Sequence, residues 1–368
     1  MKRKDVYAQL REKLSLAPSG APGGERFLEI LELLFTPEEA RLALVLPFMP
    51  ATATDVSLAS GIDLERTTEL LMNMASKGLV YAFEIKGNRM FLLFSLDTIY
   101  NYPIKYKRED VDQARLRLLW SEYLGEGSNH PPGSYLPPGR ILPVEEEIRP
   151  ETGAVSYDRV TRYIDEAKYL SVGNCSCREI VRACDNPIET CIGVGYAAKY
   201  LVEQGLSRRI DADEAKRIVK TAHDAGLVSV PSNTKENIGI ICHCCSCCCA
   251  QLGVATRHGR YDLRPVGSFV ASVDDSACTA CESCVDRCPM KAITINGVAF
   301  SDPEKCIGCG LCISTCSEEA ISLILRDPQA EIPEDVMDYT MKAVGTQGTL
   351  EDFMKELKIK NEGENHNE

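Results

Sequence analysis

An α+β chain of several domains is the fold class this sequence predicts, and three observations predict it. Residues 27–100 pass from helical to strand-like periodicity, and residues 175–249 concentrate ten cysteines among helical stretches. Residues 278–316 repeat one four-cysteine run, with short alternating segments beside each copy. At 368 residues the chain suits two or three domains.

Residues 1–24 close on Ala17-Pro-Ser-Gly-Ala-Pro-Gly-Gly24 and read as a flexible lead-in. From Phe27, the positions Phe27, Ile30, Leu31, Leu33 and Leu34 form one helical face. Thr36-Pro37-Glu38-Glu39 then supplies the N-cap, N1 proline and acidic first turn of the next helix. Ala53–Gly61 and Asp63–Ala75 predict two more helices, the second closed by Lys77-Gly78, and Tyr81–Ile85 and Met90–Phe94 flank a Gly87-Asn88 turn. Helix, turn, helix and hairpin in this order resemble a winged helix-turn-helix domain over residues 25–100. That resemblance implies DNA binding, but the charge opposes it. Residues 27–100 hold five Lys or Arg against ten Asp or Glu, and the helix placed for recognition offers Arg66 beside Glu65 and Glu69. Phosphate contacts dominate affinity for DNA, so a docking or dimerisation module is the expectation, with DNA not a partner.

Residues 101–150 read as a proline-rich connector. A helix within Tyr106–Leu124, around Val111, Leu116, Leu119 and the single Trp120, precedes an extended strap over the surface with Pro131, Pro132, Pro137, Pro138, Pro143 and Pro150. Residues 151–267 follow as a mostly helical, cysteine-rich metal-binding domain. Tyr157–Tyr169, Val194–Glu203 and Asp213–Ala225 look helical, and Ile238–Ile241 looks like a short strand. The spacing C-x-C-x6-C-x6-C brings Cys175, Cys177, Cys184 and Cys191 within seventeen residues, enough for one metal site. Heptad intervals between Cys177, Cys184 and Cys191 also suit a buried helix face, although Pro187 breaks such a helix.

Cys242, Cys244, Cys245, Cys247, Cys248 and Cys249 are six cysteines in eight residues, more than one cubane uses. In an extended segment, alternation sends Cys242, Cys244 and Cys248 to one side and Cys245, Cys247 and Cys249 to the other. The expectation is one or two further iron–sulfur clusters on these ten thiols, because crowded thiolates repel unless a soft cation holds them. Zinc and packed apolar thiols are the alternatives. His243, among these residues, is a candidate ligand or a donor to a cluster sulfur.

The organising stretch is Cys278-Thr-Ala-Cys281-Glu-Ser-Cys284-Val-Asp-Arg-Cys288-Pro289 and Cys306-Ile-Gly-Cys309-Gly-Leu-Cys312-Ile-Ser-Thr-Cys316. Each run reads C-x2-C-x2-C-x3-C, in which three close thiolates hold one cubane and the fourth ligates the other. Cys278, Cys281, Cys284 and Cys316 are therefore assigned to one [4Fe–4S] cluster, and Cys306, Cys309, Cys312 and Cys288 to a second. Ala292–Phe300 alternates around an Asn296-Gly297 hairpin signal, and Ala320–Leu325 repeats the strand. Zinc ribbons pair C-x2-C motifs and do not run four cysteines together. Residues 268–328 resemble a bacterial-type 2[4Fe–4S] ferredoxin, with Ser317 where a Pro would follow the fourth cysteine and Ala280 and Glu282 where the second run has Gly308 and Gly310.

From about Phe27 the chain is similar to a group of ferredoxin-containing proteins of anaerobic bacteria and archaea. The shared marks are Phe35-Thr-Pro-Glu-Glu-Ala40, Gly173-Asn-Cys-Ser-Cys-Arg178, Glu189-Thr-Cys191 and Ile241-Cys-His-Cys-Cys-Ser-Cys-Cys-Cys249. The resemblance implies an anaerobic, multicluster redox protein and brings no activity with it. The predicted layout is thus a winged helix-turn-helix-like domain, a central Cys-rich mostly helical domain, a ferredoxin-like 2[4Fe–4S] domain, and an acidic tail over residues 329–368. The tail carries a helix at Leu350–Lys358 and a polar, disordered end from Asn361.

The basic start lacks the apolar core of a signal peptide, and no stretch approaches the roughly 18 apolar residues of a membrane span. A cytoplasmic location follows, where clustered thiols mean metal and not disulfides. Net charge of −13 suits an acidic electron carrier that meets basic patches. The expected function is electron transfer, soluble or as a subunit of an anaerobic oxidoreductase complex, with redox partner proteins and a homo- or hetero-oligomer. The alternatives are a reductase whose chemistry occurs within Cys175–Cys249, and a redox-responsive regulator using the winged helix.

Overall fold

The structure, a computed structural model, describes residues 3–21, 24–93, 95, 99–100, 105, 108–126, 130–131 and 133–364. The chain forms two compact units, one of Met1–Leu136 with Thr340–Glu368 and one of Pro137–Tyr339. It is mixed α+β with several small sheets. Parts of the expectations above fall on Phe94, Tyr106, Lys107, Pro132 and residues 365–368, which lie outside the described residues.

In the first unit, the expected lead-in carries a helix. Helix α1 (Arg3–Ser15) buries Val6, Tyr7, Leu10 and Leu14, whose three- and four-residue spacing makes one apolar face. The Tyr7 hydroxyl donates to the Phe35 carbonyl at 2.9 Å. Helix α2 (Glu25–Leu34) buries Phe27, Ile30, Leu31 and Leu34. Helix α3 (Pro37–Val45) starts in a capping box, with the Glu39 N–H donating to Thr36 Oγ1 at 3.2 Å and the Thr36 N–H to Glu39 Oε2 at 2.8 Å. The buried Glu39 carboxylate also accepts from Lys77 Nζ at 2.7 Å and Asn73 Nδ2 at 3.0 Å, so its charge is satisfied.

Helices α4 (Ala53–Ser60) and α5 (Leu64–Ser76) lead to a hairpin of β1 (Val80–Ile85) and β2 (Asn88–Leu93). Its turn is Lys86-Gly87, one residue earlier than expected, and both residues have positive φ, as a twisted two-residue turn requires. Helix α6 (Gln113–Glu126) sets Trp120 against Phe27, which also stacks on Tyr123 at 5.1 Å. Phe27→Ala should therefore cost about 3–5 kcal/mol of this unit's stability. Denaturant unfolding followed by Trp120 emission measures it, and a loss below about 1 kcal/mol would deny Phe27 its place in the core.

The second unit corrects the mostly helical expectation. Helices α7 (Val160–Asp165), α8 (Ser176–Val181), α9 (Gly195–Glu203), α10 (Ala212–Asp224) and α11 (Ala250–His258) surround a sheet. Strands β3 (Leu170–Asn174), β4 (Glu189–Val194), β5 (Arg208–Ile210), β6 (Val228–Pro231) and β7 (Ile240–Cys244) form it, antiparallel, in the order β5-β3-β4-β7-β6. The helix expected over Tyr157–Tyr169 is only the short α7. Burial explains the misreading: every residue of β6 is buried, as are the first four of β3 and the last five of β4. Strands covered on both faces lose the alternation that identifies a strand.

The proline-rich strap does not lie wholly on the surface. Arg140, Ile141, Leu142 and Val144 are buried, and Gly139 and Leu142 bridge to Ser232 and Ser229 beside β6. Non-proline residues between Pro138 and Pro143 keep their N–H groups, and the Ile141 N–H donates to Val266 and the Val144 N–H to the Cys309 carbonyl at 2.9 Å. Beyond the strap's contacts, β8 (Phe269–Val273) pairs with β11 (Ile321–Leu325), and β9 (Ile293–Asn296) with β10 (Val298–Ser301) around the left-handed Gly297. Between them, α12 (Ser283–Arg287) ends in Arg287, whose guanidinium donates to the His223 and Asp224 carbonyls at 2.5 and 3.2 Å. A cation there suits the negative, carboxyl end of α10.

The tail is more ordered than expected, with helices α13 (Val336–Gln347) and α14 (Leu350–Glu364) and a buried Phe353. Lys13 Nζ, buried, pairs with Glu356 at 2.6 Å within the first unit. Among the described residues no helix is long and apolar enough to cross a membrane.

Candidate metal centres

The two four-cysteine runs fold into two cavities. Cys278, Cys281, Cys284 and Cys316 line one, and Cys288, Cys306, Cys309 and Cys312 line the other. Each cavity thus takes three thiols from one run and the fourth from the other. Tight left-handed turns aim the thiols inward. In the second run Gly308 and Gly310 adopt φ of 76° and 77°, and a Cβ on Gly308 would meet the Phe269 carbonyl oxygen at 2.2 Å. In the first run Ala280 and Glu282 take the same region at 58° and 66°, a strain of about 1 kcal/mol each.

Backbone N–H groups donate to three of these sulfurs: Ala271 to Cys306, Ala292 to Cys288 and Ala299 to Cys278, at 3.3–3.4 Å. Cys281 is exposed, whereas Cys306 and Cys312 are buried, so the two cavities differ in solvation. Amide donors and solvation are the levers that tune a cluster's potential. Burial pushes the Cys309 thiol up to about 12 and Cys312 well above its ordinary value. Such thiols stay ionised only when a cation holds them.

The ten central cysteines separate into two groups, and the division differs from the alternation expected for an extended strand. Only Cys242 and Cys244 of the six lie on β7; residues 246–248 turn, and Cys249 caps α11. The turn sends Cys245, Cys247 and Cys248 to Cys184, with all four Sγ atoms within 4.8 Å of one another. Cys249 instead returns to Cys244, 3.2 Å away. The Cys249 thiol also bonds to Cys177, Cys177 to Cys175, and Cys244 to Cys242. Those bonds from Cys177 and Cys244 hold Cys249 down at about 5. Cys191 sits on β4, where the Ile192↔Ile241 register carries it to the side of Cys242. The four cysteines 175, 177, 184 and 191 therefore do not form one site together, because Cys184 lies in the loop after α8 and leaves the sheet.

His243 is not among the thiols of either group. Alternation on β7 turns it to the opposite face from Cys242 and Cys244. There its Nδ1 meets the Thr190 carbonyl at 2.7 Å, and His223 of α10 approaches at 6.3 Å between ring centroids. Burial holds His243 down at about 4, so it is neutral.

A residue that sequence reasoning did not single out lies between the groups. Arg178, buried on α8, donates to the His243 carbonyl at 2.8 Å and to the Thr190 hydroxyl. Burial works against its charge, but the thiols of Cys175, Cys245 and Cys244 outweigh it and raise its pKa. The signal available in the sequence was an arginine directly after C-x-C, beside strands otherwise apolar.

The two groups have different surroundings. Cys244 and Cys249, with Cys242 against them, belong to the same buried core as Phe269, Ile307, Cys306 and Cys312. Cys245 and Cys248 pack with Ala222 and Leu227, with Cys184 and Cys247 at the edge. No curated protein and no solved structure matches the chain. Residues 271–323 match the family model of a 4Fe-4S dicluster domain, which supports an iron–sulfur domain over this part of the chain.

Proposed function

We propose that this protein is a multicluster electron carrier, soluble or a subunit of an anaerobic oxidoreductase, whose ferredoxin-like pair of [4Fe–4S] clusters exchanges electrons with a third cluster. The pair is held by the two quartets that line the cavities. The third is held by four thiols drawn from Cys175, Cys177, Cys191, Cys242, Cys244 and Cys249. The observation that carries this reading is the shared core: Cys244 and Cys249 are buried in the same apolar cluster as Cys306 and Cys312. Cubane clusters supply one-electron redox chemistry. The chain's own residues hold them, exclude water around Cys306 and Cys312, and place the Arg178 cation against the thiols of the third site.

Residues 25–100 serve in this reading as a winged-helix-like module that docks a redox partner or a second copy. Arg66, the one cation offered by α5, is committed to Glu38 and Glu69 at 2.6 Å each, which leaves no free charge there for a phosphate.

The test is iron and sulfide analysis of protein purified without oxygen. About twelve iron atoms per chain are expected, four for each of three cubanes. About eight would confine the clusters to the ferredoxin part and end the relay reading.

A further inference from the structure

We infer that Cys184, Cys245, Cys247 and Cys248 bind a single tetrahedral metal ion, zinc or mononuclear iron, and not a cubane cluster. The inference concerns a site separate from the proposed third cluster and does not depend on it.

Sulfur spacing carries the argument. Four thiolates on one ion, with metal–sulfur bonds of about 2.3 Å at tetrahedral angles, stand about 3.8 Å apart along each edge. Cys184 lies 3.8 Å from Cys248 and 3.9 Å from Cys245, and all four sulfurs lie within 4.8 Å of one another. A cubane cannot accept that spacing, because each thiolate binds a different iron and the metal–metal separation pushes the sulfurs apart. Among the described residues this is the one group of three or more His, Cys, Asp or Glu side chains packed so tightly. The cysteines lining the two ferredoxin cavities do not reach it. The sulfurs are also far outside the roughly 2.05 Å of a disulfide.

The site is held in place from outside. Arg257 of α11 donates to the Cys247 carbonyl at 2.5 Å, and the Thr256 hydroxyl to the Ser246 carbonyl at 3.2 Å, so the 245–248 turn is tied to the helix that follows it. Asn186 Nδ2 donates to the Cys184 sulfur at 3.4 Å, the kind of outer partner that orients a metal ligand and offsets thiolate charge. Tetrahedral sets of four sulfurs select zinc or iron. An ion here would pin the loop after α8 to the turn after β7, and so fix where Cys249 begins its helix.

Two measurements test this on the full chain purified without oxygen. In wild-type protein each iron of a cubane brings one sulfide, whereas a lone ion brings none. Zinc plus iron should therefore exceed acid-labile sulfide by about one per chain, and equality would overturn the inference. Cys184→Ser, and separately Cys247→Ser, half-buried like it, should each lose about one zinc or one iron per chain and no sulfide. Which metal falls identifies the ion. A loss of about four iron with four sulfides would show a cubane, and unchanged metal in both variants would show no ion; either result overturns it. Total iron near eight would defeat the third cluster and leave this excess of one untouched, so the two readings fail separately.

Discussion

Stripping the metals from the native protein with a chelator should unfold the Pro137–Tyr339 unit and leave the other unit folded. The core of the second unit buries thiols among its aliphatic residues: Cys244, Cys249, Cys284, Cys306 and Cys312 lie in one cluster with Val228, Leu252 and Phe269. Without cations those thiols repel or must protonate, and a structural metal site contributes on the order of 10 kcal/mol to folding. That exceeds the 5–15 kcal/mol margin of a typical domain once several sites are lost together. The first unit has a core of its own around Phe27, Leu31, Trp120 and Tyr123. Trp120, the single tryptophan, lies there and reports on that unit alone. The expected result is bleached visible absorption and lost hydrogen-exchange protection in residues 137–339, with the Trp120 emission maximum unmoved. A red shift of Trp120 on chelation would mean that the units do not fold independently.

Cys309→Ala should lower iron by about four atoms per chain and remove one cubane signal from the low-temperature spectrum of the reduced protein. The central thiols should remain metallated. The reason is the sharing of cysteines between runs. Cys309 lines only the cavity with Cys288, Cys306 and Cys312, while Cys316, from the same run, lines the other. Losing Cys309 therefore opens one cavity and leaves all four thiols of its neighbour in place. Alanine at this half-buried position also leaves Cys288, Cys306 and Cys312 without the charge they were arranged around, so the thermal midpoint should fall with the iron. Metal analysis with sulfide, compared with wild type, decides it. Loss of every metal together would show that residues 271–323 and the five-stranded sheet form one cooperative structure.

What could be read directly from the sequence was whatever local chemistry dictates. The first three cysteines of each C-x2-C-x2-C-x3-C run converge because the intervening turns are short, and in the second run Gly308 and Gly310 permit those turns. The Thr36-Pro37-Glu38-Glu39 helix start and the Asn296-Gly297 hairpin rest on backbone preferences within four residues, and both stand where the sequence places them. Helix α1 was also legible in the spacing of Val6, Leu10 and Leu14, but the glycines and prolines of 18–24 drew the reading toward a loose segment.

The five-stranded sheet was not legible, because its strands run three to six residues and β3, β4 and β6 are covered on both faces, which erases the period of two. Nor could spacing divide the ten central cysteines. Cys184 meets Cys245 across sixty-one residues of chain, and the meeting depends on a loop leaving the sheet after α8 and a turn after β7. Local preference acts over a few residues and places thiols within a motif. Only the packing of strands and turns decides which motifs share a metal, because that is set by long-range contacts that no short stretch encodes alone.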